Sequence, residues 1–187
     1  KAVDYLKRSL AIKEELGDKR GIGNSLNNIG NVHANKGDLD KALDYYKRSL
    51  AIAEEIGDKK GMVGSLNSIG IVHHNKGNLD KALDYYNRSL IIKEELGDKY
   101  GMGNSLNNIG IVHADKGDYD KALDYYERSL AIAEELGDKL GMGYSLNNIG
   151  LVYADKGDYD KALDYYQRAL AIADELGDKR GMGYSLN

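Results

Sequence analysis

The sequence predicts an all-α fold, a solenoid of antiparallel helix hairpins. Three observations carry this. Gly30, Gly70, Gly110 and Gly150 recur in step, a period of 40 residues, and self-similarity at such a period marks a stacked repeat architecture. Within each period, apolar residues return at three-to-four spacing, as along one face of a helix. The breaks between these stretches are only a few residues long, which forces antiparallel neighbours.

One unit is seen whole in 104–130, NSLNNIGIVHADKGDYDKALDYYERSL, a helix, a tight turn and a second helix. Stacked units share one elongated core, so the 187 residues are expected to form a single solenoid over 1–187, of about four and a half repeats. The chain opens at Lys1 inside a repeat and stops within one, which predicts a fragment of a longer protein.

The elements follow in order. Residues 1–16, KAVDYLKRSLAIKEEL, read as the second helix of a unit, helix B, with Ala2, Leu6, Leu10 and Ile12 on its apolar stripe. Asp4 and Arg8 stand four apart, a support worth ~0.3 kcal/mol when exposed. The same pair returns at 44/48, 84/88, 124/128 and 164/168. Gly17 suits a left-handed C-terminal cap, and Asp18 an N-cap. Helix A follows over 18–36, with Leu26, Ile29 and His33 on its stripe and Val32 beside them. Gly30 in mid-helix costs ~1 kcal/mol relative to Ala, so its return implies a neighbouring helix too close for a side chain. Gly37 ends the helix, and Asp40 is expected to cap the next helix B. The pattern then predicts B at 41–56, 81–96, 121–136 and 161–176, A at 58–76, 98–116 and 138–156, and one more A begun at 178–187. Residues 81–120 and 121–160 differ at only seven positions of 40, the mark of recent duplication or of a consensus design.

Composition narrows the chemistry. The net charge is -4 with signs interspersed, which argues against nucleic acid or an anionic membrane as partner. No apolar run approaches the roughly 20 residues of a membrane span, and a cytoplasmic location is the accompanying expectation. Cysteine is absent, excluding disulfides and thiolate chemistry; Pro, Trp and Phe are absent too, so Tyr supplies every aromatic ring. His33, His73 and His113 fall on successive A helices, with His74 beside His73. Ligands must converge within about 2 Å of one ion, which helices stacked 8–10 Å apart seldom allow. Exchange with Tyr153 favours a packed aromatic role. The GDYD and GDLD turns lack the spaced ligands of a calcium loop and read as helix caps. No metal or cofactor is expected. Catalysis needs one asymmetric constellation, whereas here each residue is copied along the stack, so the chain is not expected to be an enzyme.

Counted from Gly110, the pattern resembles the tetratricopeptide repeat. Leu106, Ile109 and Gly110 match the first-helix positions of that family. His113 takes the usual Tyr position, which Tyr153 fills in the next unit. Gly117, Tyr119, Ala122 and Tyr126 match the turn and second helix, and Ser129 replaces a small Ala that Ala169 restores. Two features depart from the family: the closing Pro is missing, and each unit carries six extra residues. The segment AIAEELGDKLGMGYSLNNIGLVY is most similar to the long-repeat branch of kinesin light chains, spindle-orientation adaptors and bacterial signalling proteins. The resemblance implies a right-handed superhelix whose A helices line a concave, peptide-binding groove.

That face carries a polar ladder of Asn27, Asn67, Asn107 and Asn147, followed by Asn28, Ser68, Asn108 and Asn148. Asn is a poor helix former, so two in succession are locally unfavourable, yet a carboxamide matches the paired N–H and C=O of an extended peptide. Helices 8–10 Å apart and ~3.3 Å per peptide residue would let one Asn per repeat grip roughly every third residue. The competing role is bonding between helices. Asn31, Ile71, Ile111 and Leu151 are expected to face the same groove, then Asn35, Asn75, Asp115 and Asp155, with Asn24, Gly64, Asn104, Tyr144 and Tyr184 a turn earlier. Family members that clamp a C-terminal carboxylate carry Lys and Arg in the groove, and the spindle adaptors carry Arg where Asn24, Asn104 and Tyr144 stand. The resemblance therefore does not extend to those ligands.

The expected function is a protein-interaction scaffold holding an extended or short helical peptide. Two alternatives stand beside it: a structural or self-assembling module without ligand, and a peptide-sensing regulatory domain of a larger bacterial signalling protein. Ala2, Leu6 and Leu10 at one end, with Met182 and Leu186 at the other, are built for stacking, which predicts possible head-to-tail self-association.

Overall fold

The Gly-Asp pairs of the sequence set the helix boundaries of a computed structural model, which describes residues 2–177, the side chain of Ala2 excepted. Gly17 turns left-handed at φ 66° and stops α1 (Ala2–Glu15). Asp18 then caps α2 (Lys19–Ala34), its carboxylate accepting from the Gly21 N–H at 2.9 Å. The same logic gives α3 (Leu39–Glu55), α4 (Lys59–Asn75), α5 (Leu79–Leu96), α6 (Lys99–Asp115), α7 (Tyr119–Leu136), α8 (Lys139–Asp155) and α9 (Tyr159–Leu176). The described residues hold no strand. The fold is thus all-α, in hairpins of A helices (α2, α4, α6, α8) and B helices (α3, α5, α7, α9).

One boundary differs from expectation. Helix B begins two residues early, because Asp38, not Asp40, is the N-cap of α3. Asp40 sits in the first helical turn and instead pairs with Lys76, the C-cap of α4. Ile12 also departs from its assigned stripe: it is exposed, while Leu10 is buried. Lys13 turns inward at that level and donates to Ser25 Oγ at 2.7 Å.

The chain divides into two compact units at the Leu96–Gly97 junction. In the first, Leu66, Ile69 and Val72 of α4 pack on Ala42, Tyr46 and Leu50 of α3, and Leu26 and Ile29 of α2 pack on Leu10. In the second, Leu146, Ile149 and Val152 of α8 pack among Ala122, Leu123, Tyr126, Leu130 and Ala169. Each fully buried Leu or Ile contributes roughly 1.5–3 kcal/mol, so these rows dominate stability. The recurrent Gly of helix A meets a Tyr of the following helix B. A Cβ on Gly30 would lie 2.5 Å from Tyr46 Cε1, and Gly70 repeats this against Tyr86.

Ion pairs staple each A helix to the next B helix. Lys59 reaches Glu95 at 3.0 Å, and Lys19–Glu55, Lys99–Glu135 and Lys139–Glu175 repeat the contact. Such exposed pairs contribute ~0–1 kcal/mol each. Of the predicted intrahelical pairs, Asp44–Arg48, Asp124–Arg128 and Asp164–Arg168 form at 3.9, 3.6 and 3.9 Å. Arg88 reaches Glu54 of α3 at 3.2 Å.

Candidate functional site

The A helices of neighbouring repeats meet directly within each unit, α2 with α4 and α6 with α8. The expected ladder lies along this contact, and the two Asn of each pair part company there. Successive helical residues are turned about 100°, so the two members of a pair face different neighbours. Asn27, Asn67, Asn107 and Asn147 are all half-buried, whereas Asn28 is exposed and Asn108 and Asn148 are half-buried. In the second unit Asn148 Nδ2 donates to Asn107 Oδ1 at 2.9 Å, bonding one A helix to the next. The interhelical role is therefore real at that rung.

In the first unit the equivalent positions are Asn27 and Ser68, and the rung is open because Ser68 bonds within its own helix. The side-chain oxygens of Asn27 and Asn67 are buried and accept no hydrogen bond. Buried polar atoms are rarely left so. Beside Asn27 lies a cavity of roughly 320 Å³, floored by Gly23, Gly64, Ser49 and Ser65 and flanked by Asn24. Its rim carries Arg20, which pairs with Asp58 at 3.1 Å, and the exposed Lys60. Glycine at 23 and 64 is what leaves the space: a Cβ at Gly64 would meet nothing within 4 Å.

The other expected site residues sort by position. Ile71 and Leu151 are exposed and Ile111 half-buried. Asn31, at the matching position of α2, is exposed and accepts from the Tyr46 hydroxyl at 2.7 Å. Asn104, Asp115 and Tyr144 are exposed. Ser68 bonds back to the Gly64 carbonyl at 3.0 Å, within its own helix. Tyr184, Met182 and Leu186 lie outside the described residues.

Sequence reasoning missed the position one turn before Asn24. Arg20 and Lys60 stand there in the first unit, and Tyr100 and Leu140, both exposed, in the second. This one position is thus cationic in one unit and apolar in the other. The only signal was the failure of these positions to repeat. Lys13 and the buried Lys93 break the period in the same way, standing where Ala53, Ala133 and Ala173 stand.

The histidines form stacks. His33, His73 and His113 lie against Tyr45, Tyr85 and Tyr125 with centroids 5.5, 5.5 and 5.4 Å apart. Tyr153 takes the same place against Tyr165 at 5.6 Å. An Arg covers the far side of each Tyr: Arg48, Arg88, Arg128 and Arg168, at 5.1–5.5 Å. The interchange of His and Tyr along the sequence is explained by this shared aromatic role. Among the described residues no group of three or more His, Cys, Asp or Glu is placed to hold a metal ion.

The family model described as Tetratricopeptide repeat matches residues 1–55, 62–135, 101–175 and 141–186. The chain belongs to the tetratricopeptide repeat family. No curated protein matches this tetratricopeptide repeat chain. Among solved structures, aspartyl phosphate phosphatase F from Bacillus subtilis superposes with a TM-score of 0.90 at 17% identity, over 98% of this chain and 48% of that one. A Rap protein complexed with Competence and Sporulation Factor gives 0.85 at 22% identity, over 98% and 51%. A putative kinesin light chain from Podosopora anserina, with nearly identical TPR-like repeats, gives 0.78 at 15%, over 94% and 87%. The tetratricopeptide repeat chain spans about half the length of the first two. At these identities the likeness is one of fold. Among the described residues no helix is long and apolar enough to cross a membrane.

Proposed function

We propose that the chain is a protein-interaction module that holds an extended or short helical peptide along its A-helix face. One observation carries this: the half-buried carboxamides of Asn27 and Asn67 have oxygens without a partner, and Asn27 stands at a cavity with glycines in its floor. A carboxamide in this state can rotate and offer either its donors or its acceptor, which suits a peptide main chain. The exposed Ile71 of α4 supplies an apolar contact in the same unit. No catalytic step is part of this reading.

A second reading, a sensing portion of a longer signalling protein, is favoured by two neighbours. One is the Rap protein complexed with Competence and Sporulation Factor, of which this chain spans 51%. The other is a signal-transduction ATPase described as having a tetratricopeptide repeat sensor, of which it spans 27%. Both readings place a peptide or protein on the same face.

A random peptide library displayed against the purified chain tests the proposal. The expected result is enrichment of a peptide motif whose affinity falls a few-fold to about tenfold in Asn27→Ala and Asn67→Ala, the loss of one net hydrogen bond each. Absence of enrichment, or a motif indifferent to both substitutions, would overturn it.

A further inference from the structure

Two A-to-B turns carry the same three-way contact. Asp38 Oδ2 lies 3.2 Å from His33 Nδ1 and 3.9 Å from Lys41 Nζ. Asp118 Oδ2 lies 3.2 Å from His113 Nδ1 and 4.0 Å from Lys121 Nζ. One carboxylate oxygen thus serves both a ring nitrogen and an ammonium. The turn after α4 keeps the ring and the ammonium, as His73 and Lys81, but has Asn78 in place of the aspartate.

The consequence is visible at the ring. His73 is only 6% exposed, and its Nδ1 has no hydrogen-bond partner, so the Asn78 carboxamide does not stand in for the carboxylate. The ring is fixed from the side by its stack on Tyr85, which Arg88 covers in turn. Burial, then the positive charges of Lys81, Lys47 and Lys76, lower the pKa of the imidazole. A neutral imidazole still donates one hydrogen bond through Nδ1 in the appropriate tautomer. In that tautomer the corner has a donor without an acceptor, beside Lys81 and Lys47, while Lys76 is paired with Asp40. Asn78, Lys47 and Lys81 are themselves exposed, whereas Nδ1 is buried, so an entering oxyanion must displace what covers the ring edge.

We propose that the His73–Lys81 corner is an oxyanion-accepting site, in which a carboxylate or phosphate of a partner protein takes the place that Asp38 and Asp118 fill in the sister turns. The site lies apart from Asn27 and Asn67, so it forms a second contact, and its failure would leave the peptide-face reading untouched. It selects partners with an acidic or phosphorylated side chain beside the segment held on the A helices.

The chain has only four histidines, which makes imidazole NMR at constant pH and ionic strength a direct test. Acetate and inorganic phosphate are titrated separately into the full chain. The expected result is a saturable shift of the His73 resonances, with the stronger of the two probes identifying a carboxylate or a phosphate as the preferred group. Asn78→Asp supplies the carboxylate from within and should abolish the response. Lys81→Met should weaken it roughly tenfold or more, the cost of a charged hydrogen-bond partner. A shift that never saturates, that is equal at His33 and His113, or that persists in Asn78→Asp would overturn the proposal.

Discussion

Gly110 and Tyr126 occupy the same space: a Cβ on the glycine would lie 2.6 Å from Cε1 of the tyrosine ring. Tyr126 is itself buried, 2% exposed, so the ring has nowhere to swing. Helix propensity favours Ala over Gly by ~1 kcal/mol, but overpacking a filled core costs about 1–3 kcal/mol. The clash should win already for Gly110→Ala and decisively for Gly110→Leu. Thermal melts should show both variants less stable than wild type, with Leu the lower. An unchanged melting temperature would show that the ring yields freely.

The partner of Asn107 predicts a second effect. Asn148 Nδ2 donates to its side-chain oxygen at 2.9 Å, in a half-buried seam. Asn107→Ala should lower unfolding free energy by about 0.5–1.5 kcal/mol, measured by urea denaturation. Asn28→Ala, at an exposed rung, should leave the same measurement almost unmoved.

Alkaline pH should loosen the core through its tyrosines. Burial pushes the Tyr86 hydroxyl up to about 12 from an ordinary value near 10. A raised folded value means that stability is intact below pH 10 and is lost as the pH climbs through 12. The shift corresponds to roughly 3 kcal/mol at full ionisation. Denaturant midpoints measured across pH 9 to 12 should therefore fall, and Tyr86→Phe should flatten the fall. A Tyr86→Phe profile identical to wild type would contradict this.

Acid should act through His73. Burial, Lys81, Lys47 and Lys76 hold its value below the ordinary one, so the unfolded chain takes up the proton first. Stability is full above pH ~6.5 and declines as pH falls below it. Asn78→Asp, by returning a carboxylate to the ring, should make urea midpoints less sensitive to mild acid than in wild type.

The sequence made the hairpins legible because period, cap and stripe agree. Gly30 recurs in register, Asp18 follows Gly17, and Leu26 and Ile29 fall one turn apart. Even the close approach at Gly30 could be inferred, although not that Tyr46 fills it. What periodicity could not show is contact between residues on different helices. His33 stacks on Tyr45 across a turn, and Lys13 reaches Ser25 across another. The start of helix B was misplaced because Asp38 and Asp40 both suit a first turn, and only the backbone decides which is the cap. For the ladder, residue type gave the rows, while the split between Asn148, bonded to Asn107, and the open Asn27 rests on geometry that near-identical repeats conceal.

In the proposed function a peptide occupies the A-helix face. Backbone amide NMR of the full chain with the best library peptide, wild type against Asn27→Ala, tests it most directly. Perturbed amides should cluster on α2 and α4 around Asn27, Gly64 and Asn67, and Asn27→Ala should diminish them. Perturbations gathered on the B helices α3 and α5, with the α2 and α4 amides unmoved, would contradict it.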